Sequence, residues 1–229
     1  MSIDLVSYLK ERHQEIDLKS TDPGPVITIA REMGCPGKRV AKLLTEVLNT
    51  RIKQCEKKHE WKWVGKEIFD ETAKELGVET HQIKQVFEEK RNVLDEILSA
   101  QTSKYYKSDK KILNSTGKVI RSMANHGNVI VLGRGGIAFT RDIPKSLHIF
   151  LEGPLEWRAS LISEKCNLKL AEAKKYAIEI DKKREQYREF FKGKNTDYTW
   201  FDVRFNCMTF KVEEIVDAIV KMMEVRKIF

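Results

Sequence analysis

Gly34, Cys35, Pro36, Gly37 and Lys38 fall between a short β-branched run (Val26, Ile27, Thr28, Ile29) and a segment with apolar residues at Val40, Leu43, Leu44, Val47 and Leu48. Those five apolar positions step as i, i+3, i+4, i+7 and i+8, one face of a helix. A strand, a glycine-rich loop ending in lysine and a helix form the arrangement in which backbone N–H groups and a helix N-terminus hold phosphate. The pattern G-x-x-x-x-G-K-[ST] is met only in part. Gly37-Lys38 fits, but Glu32 stands at the first glycine, and Arg39 stands where a Ser/Thr hydroxyl would reach Mg²⁺. A Gly-Pro-Gly turn capping an ordinary βα unit is the other reading of this stretch.

Two further groups could act on phosphate. Gly133-Arg134-Gly135-Gly136 follows the apolar run VIVLG, so Arg134 stands at the end of a buried strand, where open α/β sheets bind ligands. Convergence of two Gly-rich loops, one bearing an arginine, suits a polyphosphate: backbone donors hold the bridging oxygens and fixed charge balances what develops in transfer. Farther on, Arg184 and Arg188 are i, i+4 on a predicted helix that also carries Asp181, so both guanidiniums face one side and could close over phosphates as a lid. A solvated charged face is the alternative for this run.

Elements alternating strand and helix must position these groups. The turn Asp22-Pro23-Gly24-Pro25 closes a predicted short amphipathic helix within residues 1–22. Trp61–Val64 reads as a short strand. Ile68, Phe69, Ala73 and Leu76 mark a helix stopped by Gly77, and a second helix is predicted from about Glu79 through Ile97. Residues 102–110 read as loop and about 111–126 as helix. Asn128–Gly133 and Leu147–Leu151 are runs of the kind buried in parallel sheets. A charged helix spans about 168–192, Phe201–Phe205 is a last strand, and Val212–Val225 is a helix with Val212, Ile215, Val216, Ile219 and Met223 on one face. The class is α/β with a parallel sheet and right-handed crossovers.

Composition narrows the ligands. The 229 residues are 41% hydrophobic with a net charge of +8, from 42 basic against 34 acidic side chains, which favours anionic partners. Basic and acidic residues interleave, as in EEKRNVLDE at 88–96, which argues against a nucleic-acid surface. Cys35, Cys55, Cys166 and Cys207 form no C-x-x-C pair, and Cys55 with His59 lacks a second ligand pair, so no metal site is predicted. The start, MSIDLVSYLKERHQE, is charged and without an apolar core region, and no membrane span is visible. The expectation is a reduced, cytoplasmic protein.

In collinear order, VITIAREMGCPGKRVAKLL, VIVLGRGG, LHIFLEGPLEWRASLI, IDKKREQYREFF and FDVRFNCMTFKVEEIVDAI resemble the cytidylate kinase-like family, P-loop relatives of the nucleoside monophosphate kinases. Members commonly read R-x-x-G-S-G-G-R at the first loop. Arg31, Gly34, Gly37 and Lys38 match that template in place or charge, Pro36 departs, and a missing Ser/Thr after Lys38 is similar to the family habit.

The resemblance implies a three-layer P-loop NTPase fold with a helical acceptor-binding insertion over 66–126 and a helical lid over 165–199. These sit in a kinase domain of 25–229 behind an N-terminal extension of 1–24. It places Gly34, Cys35, Pro36, Gly37, Lys38 and Arg39 around the phosphates of ATP, with Thr209 and Phe210, in the loop Asn206–Lys211, at the adenine. Arg134 resembles the arginine that grips the acceptor's phosphate, and Arg158 the one at the start of the lid. Asp181, Arg184 and Arg188 look like the lid set that closes on the transferring group. Cytidylate kinases proper read Gly-Arg-Asp where this chain has Gly135, so the acceptor stays open.

The expected protein is therefore an ATP- and Mg²⁺-dependent kinase acting on CMP, dCMP or a related acceptor through Lys38, Arg134, Arg184 and Arg188. A catalytically weak nucleotide-binding regulatory relative is the alternative, and a nucleic-acid-binding protein the third reading. Its partners are small-molecule nucleotides and not a membrane; the oligomeric state is left open.

Overall fold

The run that opens the phosphate-loop pattern becomes the central strand of a five-stranded parallel sheet. A computed structural model describes residues 23–54, 59–77, 79–81, 83, 109–192 and 198–228. Within them β1 (Val26–Arg31) leads to α1 (Gly37–Gln54), β2 (Lys62–Val64) and α2 (Glu67–Leu76). Then come α3 (Asp109–His126), β3 (Val129–Leu132), the short α4 (Gly136–Thr140) and β4 (Ser146–Glu152). The antiparallel pair α5 (Leu155–Cys166) and α6 (Leu170–Lys192) precedes a 3₁₀ turn (Tyr198–Trp200), β5 (Val203–Asn206) and α7 (Val212–Val225).

The strand order is β2-β3-β1-β4-β5. Ile27 faces Ile130 on one side and Leu147 on the other, and Leu151 faces Phe205. These strands are largely buried on both faces because helices lie over both. On one face, Ile27, Ile29, Ile149 and Leu151 pack with Leu44 and Leu48 of α1 and with Ile215, Ile219 and Met223 of α7. All five expected core positions of α7 are buried; in α1, Leu43 and Val47 reach only the edge of the cluster. The opposite face is divided. Over β2 and β3, Val64, Val129 and Val131 pack with Ile68 of α2 and with Ile120 and Met123 of α3. Over β1 and β4 the surface turns polar: Thr28 Oγ1 and His148 Nδ1, both buried, are 2.8 Å apart. This polar half of the sheet is where the candidate site forms.

Several boundaries differ from those the sequence suggests. β1 runs on to Arg31 because Ala30 and Arg31 pair with Phe150 and Leu151 of β4. The last strand starts at Val203, since Tyr198–Trp200 form a 3₁₀ turn and Phe201 stacks on Phe150 with centroids 4.8 Å apart. Asp109 and Lys110, expected in a loop, open α3. Helices α4 and α5 are not expected from the sequence. α4 is five residues long, and α5 buries only Arg158, Ala159 and Ile162, too few for a clear helical stripe. The helix expected within 1–22, the Cys55 position and nearly all of the helix expected from Glu79 lie outside the described residues. No helix of the described residues is long and apolar enough to cross a membrane.

Candidate phosphate-binding site

The chain leaves β1 toward β2 and leaves β4 toward β5, on the far side of the sheet, so a crevice opens between their carboxyl ends. The loop Glu32–Pro36 enters it and delivers α1, whose first-turn N–H groups have no helical acceptor. Gly34 sits at φ +98°, and a Cβ there would lie 2.9 Å from Cβ of Arg158. Both conditions demand glycine. The Lys38 side chain is exposed at the crevice rim, its Nζ 5.9 Å from the ring centroid of Trp63. The neighbouring Cys207 thiol, together with burial, holds the Cys35 thiol above the ordinary cysteine range. That loop side chain therefore stays protonated; the amides of Met33, Cys35 and Gly37 already donate within the protein, which leaves those of Gly34, Lys38 and Arg39 as the candidates for an anion.

A charged clamp ties the loop to α5 and α6. The Asp181 carboxylate accepts the Met33 N–H (2.6 Å) and an Arg158 Nη1 bond (2.7 Å). Arg158, buried at the start of α5, also donates to the carbonyls of Met33 (2.9 Å) and Gly153 (2.8 Å). Glu32 accepts the Gly153 N–H at 3.0 Å and stands 3.2 Å from Arg158 Nε. One turn after Asp181, Arg184 Nη1 donates to the carbonyl of Arg31 at 3.0 Å. Apolar packing reinforces the clamp: Met33 sits against Ala159, Ile162, Ala173 and Ala177, the seam between α5 and α6.

Replacing Asp181 with Asn would turn an NH₂ toward the Arg158 donor, breaking a charge-assisted bond at a cost of about 1–3 kcal/mol. The expected result is faster tryptic cleavage at Lys182 and Lys183 in ligand-free protein, followed by mass spectrometry. An unchanged cleavage rate would show that Asp181 does not hold α6 against the loop.

Three cavities meet in the crevice. One of about 260 Å³ is floored by Gly34, Cys35, Gly37 and Lys38 and roofed by Lys165 and Arg184. A second, about 550 Å³, lies on the polar half of the sheet between Thr28, the Gly133–Gly136 loop and Tyr176, Lys183, Arg184 and Arg188 of α6. A third, also about 550 Å³, lies between α6 and β4–β5 and is lined by Phe150, Trp200, Phe201 and Arg204. Arg184 lines the first two, Arg188 the last two, and Arg31 all three. Arg134, held at φ 57°, lays its guanidinium 4.0 Å from the ring centroid of Phe69 in α2, which fixes its direction at the mouth of the second cavity. Burial, and then the guanidiniums of Arg184 and Arg134, push the Arg31 pKa below the ordinary arginine value.

Of the expected site residues, the structure gathers Gly34, Cys35, Gly37, Lys38, Arg134, Arg158, Asp181, Arg184 and Arg188 around this crevice. Pro36 belongs to the loop, its carbonyl accepting the Val40 N–H at 3.0 Å. Arg39 is exposed and lines none of the three cavities. Thr209 and Phe210 are exposed as well, outside the three cavities. The Thr209 hydroxyl donates to the Asn206 carbonyl (3.1 Å), and the Phe210 ring meets Phe205 edge-on at 6.0 Å. Sequence reasoning does not place Arg31, Met33, Tyr176 or Lys183 in the site. The signal it holds is at Arg31, a charged residue directly after a buried apolar strand that also matches the first position of the family's loop template. Among the described residues no three metal-ligating side chains gather at one point, and both Glu32 and Asp181 are engaged by Arg158 and backbone amides. These residues do not fit a protein-held Mg²⁺.

A profile of the cytidylate kinase-like family matches residues 26–207. No curated protein matches the sequence. Among solved structures, an uncharacterized protein from Eubacterium ventriosum is 22% identical, with a TM-score of 0.61, the match covering 87% of this chain and 98% of that one. Shikimate kinase from Bacteroides thetaiotaomicron is 12% identical, with a TM-score of 0.49 and coverage of 87% and 98%. The first likeness is one of fold. Sheet, loop and family together describe a P-loop α/β protein of nucleotide-kinase type.

Proposed function

This chain belongs to the cytidylate kinase-like family, and from that premise we propose that it is an ATP-dependent phosphotransferase of the nucleoside monophosphate kinase type, with CMP, dCMP or a related acceptor. One observation carries the reading: a small cavity floored by the glycine-rich loop adjoins a larger one lined by arginines, and Arg31 and Arg184 belong to both. The loop amides and Lys38 would hold the donor's terminal phosphates, Arg134 and Arg188 the acceptor's phosphate, and Arg184 the group in transit. Region 66–126 would be the acceptor-binding insertion and 165–199 the lid. The loop Asn206–Lys211 would meet the adenine.

In this reaction the bond from the donor's terminal phosphorus to its bridging oxygen breaks, and the electron pair leaves on ADP. An ionised oxygen of the acceptor phosphate forms the new bond, so no side chain has to take a proton. What the protein supplies is position and positive charge. Mg²⁺ dependence is proposed from family membership alone, and no step is routed through a metal.

The test is ATP consumption with Mg²⁺ against a panel of ribo- and deoxyribonucleoside monophosphates. Turnover confined to CMP or dCMP is the expected result. Turnover on another monophosphate would keep the kinase and replace the acceptor. Arg39 in the Ser/Thr position favours a second reading, a weak or inactive nucleotide-binding relative. ATP binding by calorimetry with no turnover on any member of the panel would establish it.

A further inference from the structure

Within the proposed kinase reading, we infer that Arg31 is a catalytic residue whose guanidinium contacts the phosphoryl group in transit between the donor and acceptor cavities. Among the described lining residues it alone belongs to all three cavities. With Met33 and Arg184 it lines both the loop cavity and the arginine-lined cavity, and of the two arginines it alone also lines the third.

Its position is enforced from both sides. Gly37, of the donor loop, would place a Cβ 3.3 Å from Arg31 Cγ. Gly133, of the acceptor loop, would place one 2.0 Å from Nη1 and 3.2 Å from Cζ. The arginine thus passes between two loops that each present a bare Cα at the crossing, its stem against one and its guanidinium against the other. From below, pairing of Arg31 with Leu151 anchors the backbone at the end of β1, and the Arg31 carbonyl accepts the Arg184 bond. A donor fixed this way needs no reorganisation when charge develops on the transferring oxygens.

The electrostatics point the same way. Burial, and then the guanidiniums of Arg184 and Arg134, disfavour the charge of Arg31, while Arg184 is itself held below the ordinary arginine value by burial and then by Arg188. Asp181 offsets part of this field, yet among the described residues no ion pair includes Arg31. An arginine kept only for structure would be expected against a carboxylate partner. Three guanidiniums held around an open space instead suit an anion that arrives and leaves, with negative charge shared by donor, acceptor and the group between them. During transfer, Arg31 N–H groups would donate to the non-bridging oxygens of the moving phosphoryl. The phosphorus passes from the ADP bridging oxygen to the acceptor oxygen, and Arg31 exchanges no proton.

The test compares wild type, Arg31→Gln and Arg31→Lys by calorimetry, with MgADP and with MgADP plus aluminium fluoride, a mimic of the phosphoryl in flight. Melting curves on each protein check folding. The expected result is that aluminium fluoride tightens ADP binding to wild type. Arg31→Gln should lose about tenfold or more of that gain while its affinity for MgADP alone stays within about twofold. Arg31→Lys, which keeps charge but not the planar fork, should fall between them and carries the test if Arg31→Gln does not fold. Retention of the gain in Arg31→Gln would overturn the inference, as would an equal loss of affinity for MgADP alone or the absence of any gain in wild type. Failure of wild type to bind MgADP at all would remove the kinase reading itself, a result separate from the behaviour of the variants.

Discussion

Lys38→Ala is expected to lower turnover by about 10²–10³-fold, the usual consequence of removing one preorganised charge from a phosphoryl-transfer or oxyanion site. The side chain lines the cavity floored by Gly34 and Gly37 and extends from the first turn of α1, where it adds a positive charge to a helix end that already favours anions. Folding asks little of it. Lys38 is exposed, and its interaction with Trp63, at 5.9 Å, is worth about 0.5–1 kcal/mol at such a site. For a chain of this size a loss of about 1 kcal/mol moves the melting temperature by about 2–4 °C. Steady-state kinetics on the acceptor found in the panel, with calorimetric melting on the same preparations, separates the two effects. Unchanged turnover would remove Lys38 from the mechanism. A collapse in melting temperature parallel to the loss of activity would make its role structural.

Gly133→Ala tests whether the Arg31 guanidinium is held in its place. Two costs coincide there. The residue sits at φ +74°, which disfavours an L side chain by about 1–2 kcal/mol, and the added Cβ would fall 2.0 Å from Arg31 Nη1. The guanidinium must move out of the space where the cavities meet, an overpacking cost of about 1–3 kcal/mol more. Gly77 provides the control, because its φ is +64° and a Cβ there meets nothing within 4 Å. Gly77→Ala should show the backbone cost alone, and Gly133→Ala should be destabilised by the larger sum in urea unfolding while losing most of its activity. Equal destabilisation of the two variants would mean that Arg31 yields freely and is not held by the Gly133–Gly136 loop.

The path of the chain from Pro25 to Leu48 is legible in the order of its residues. A β-branched run, a loop of small residues and a helical stripe are local patterns, set by period and by turn chemistry, and Val26–Arg31 and Gly37–Gln54 follow them. The same holds for α7, whose apolar face repeats at helical spacing over 14 residues and is buried against the sheet. The single-sided logic fails where an element buries only a few side chains. α5 packs through Arg158, Ala159 and Ile162, and one of these is a cation, so it carries no stripe to find.

The arginines of the lid are visible in the sequence as a pair, i and i+4, but their surroundings are not. Arg184 reaches back 153 residues to the carbonyl of Arg31, and Asp181 reaches 148 residues to the amide of Met33. No spacing rule encodes contacts so distant. They arise because the sheet order brings β1 beside β4, and because the small residues of α5 and α6 let this helix pair settle onto the loop. Arg31 is the extreme case. In sequence it is a charged residue after an apolar strand and the first position of the loop template, but its neighbours on the chain say nothing of Gly133, Arg134 or Arg184. The sequence by itself determined the α/β class, the strand–loop–helix unit and the charges available for a phosphate. Tertiary structure alone decided which of those charges converge, because periodicity records how each element is buried, whereas the meeting of three guanidiniums depends on the order in which buried strands lie side by side.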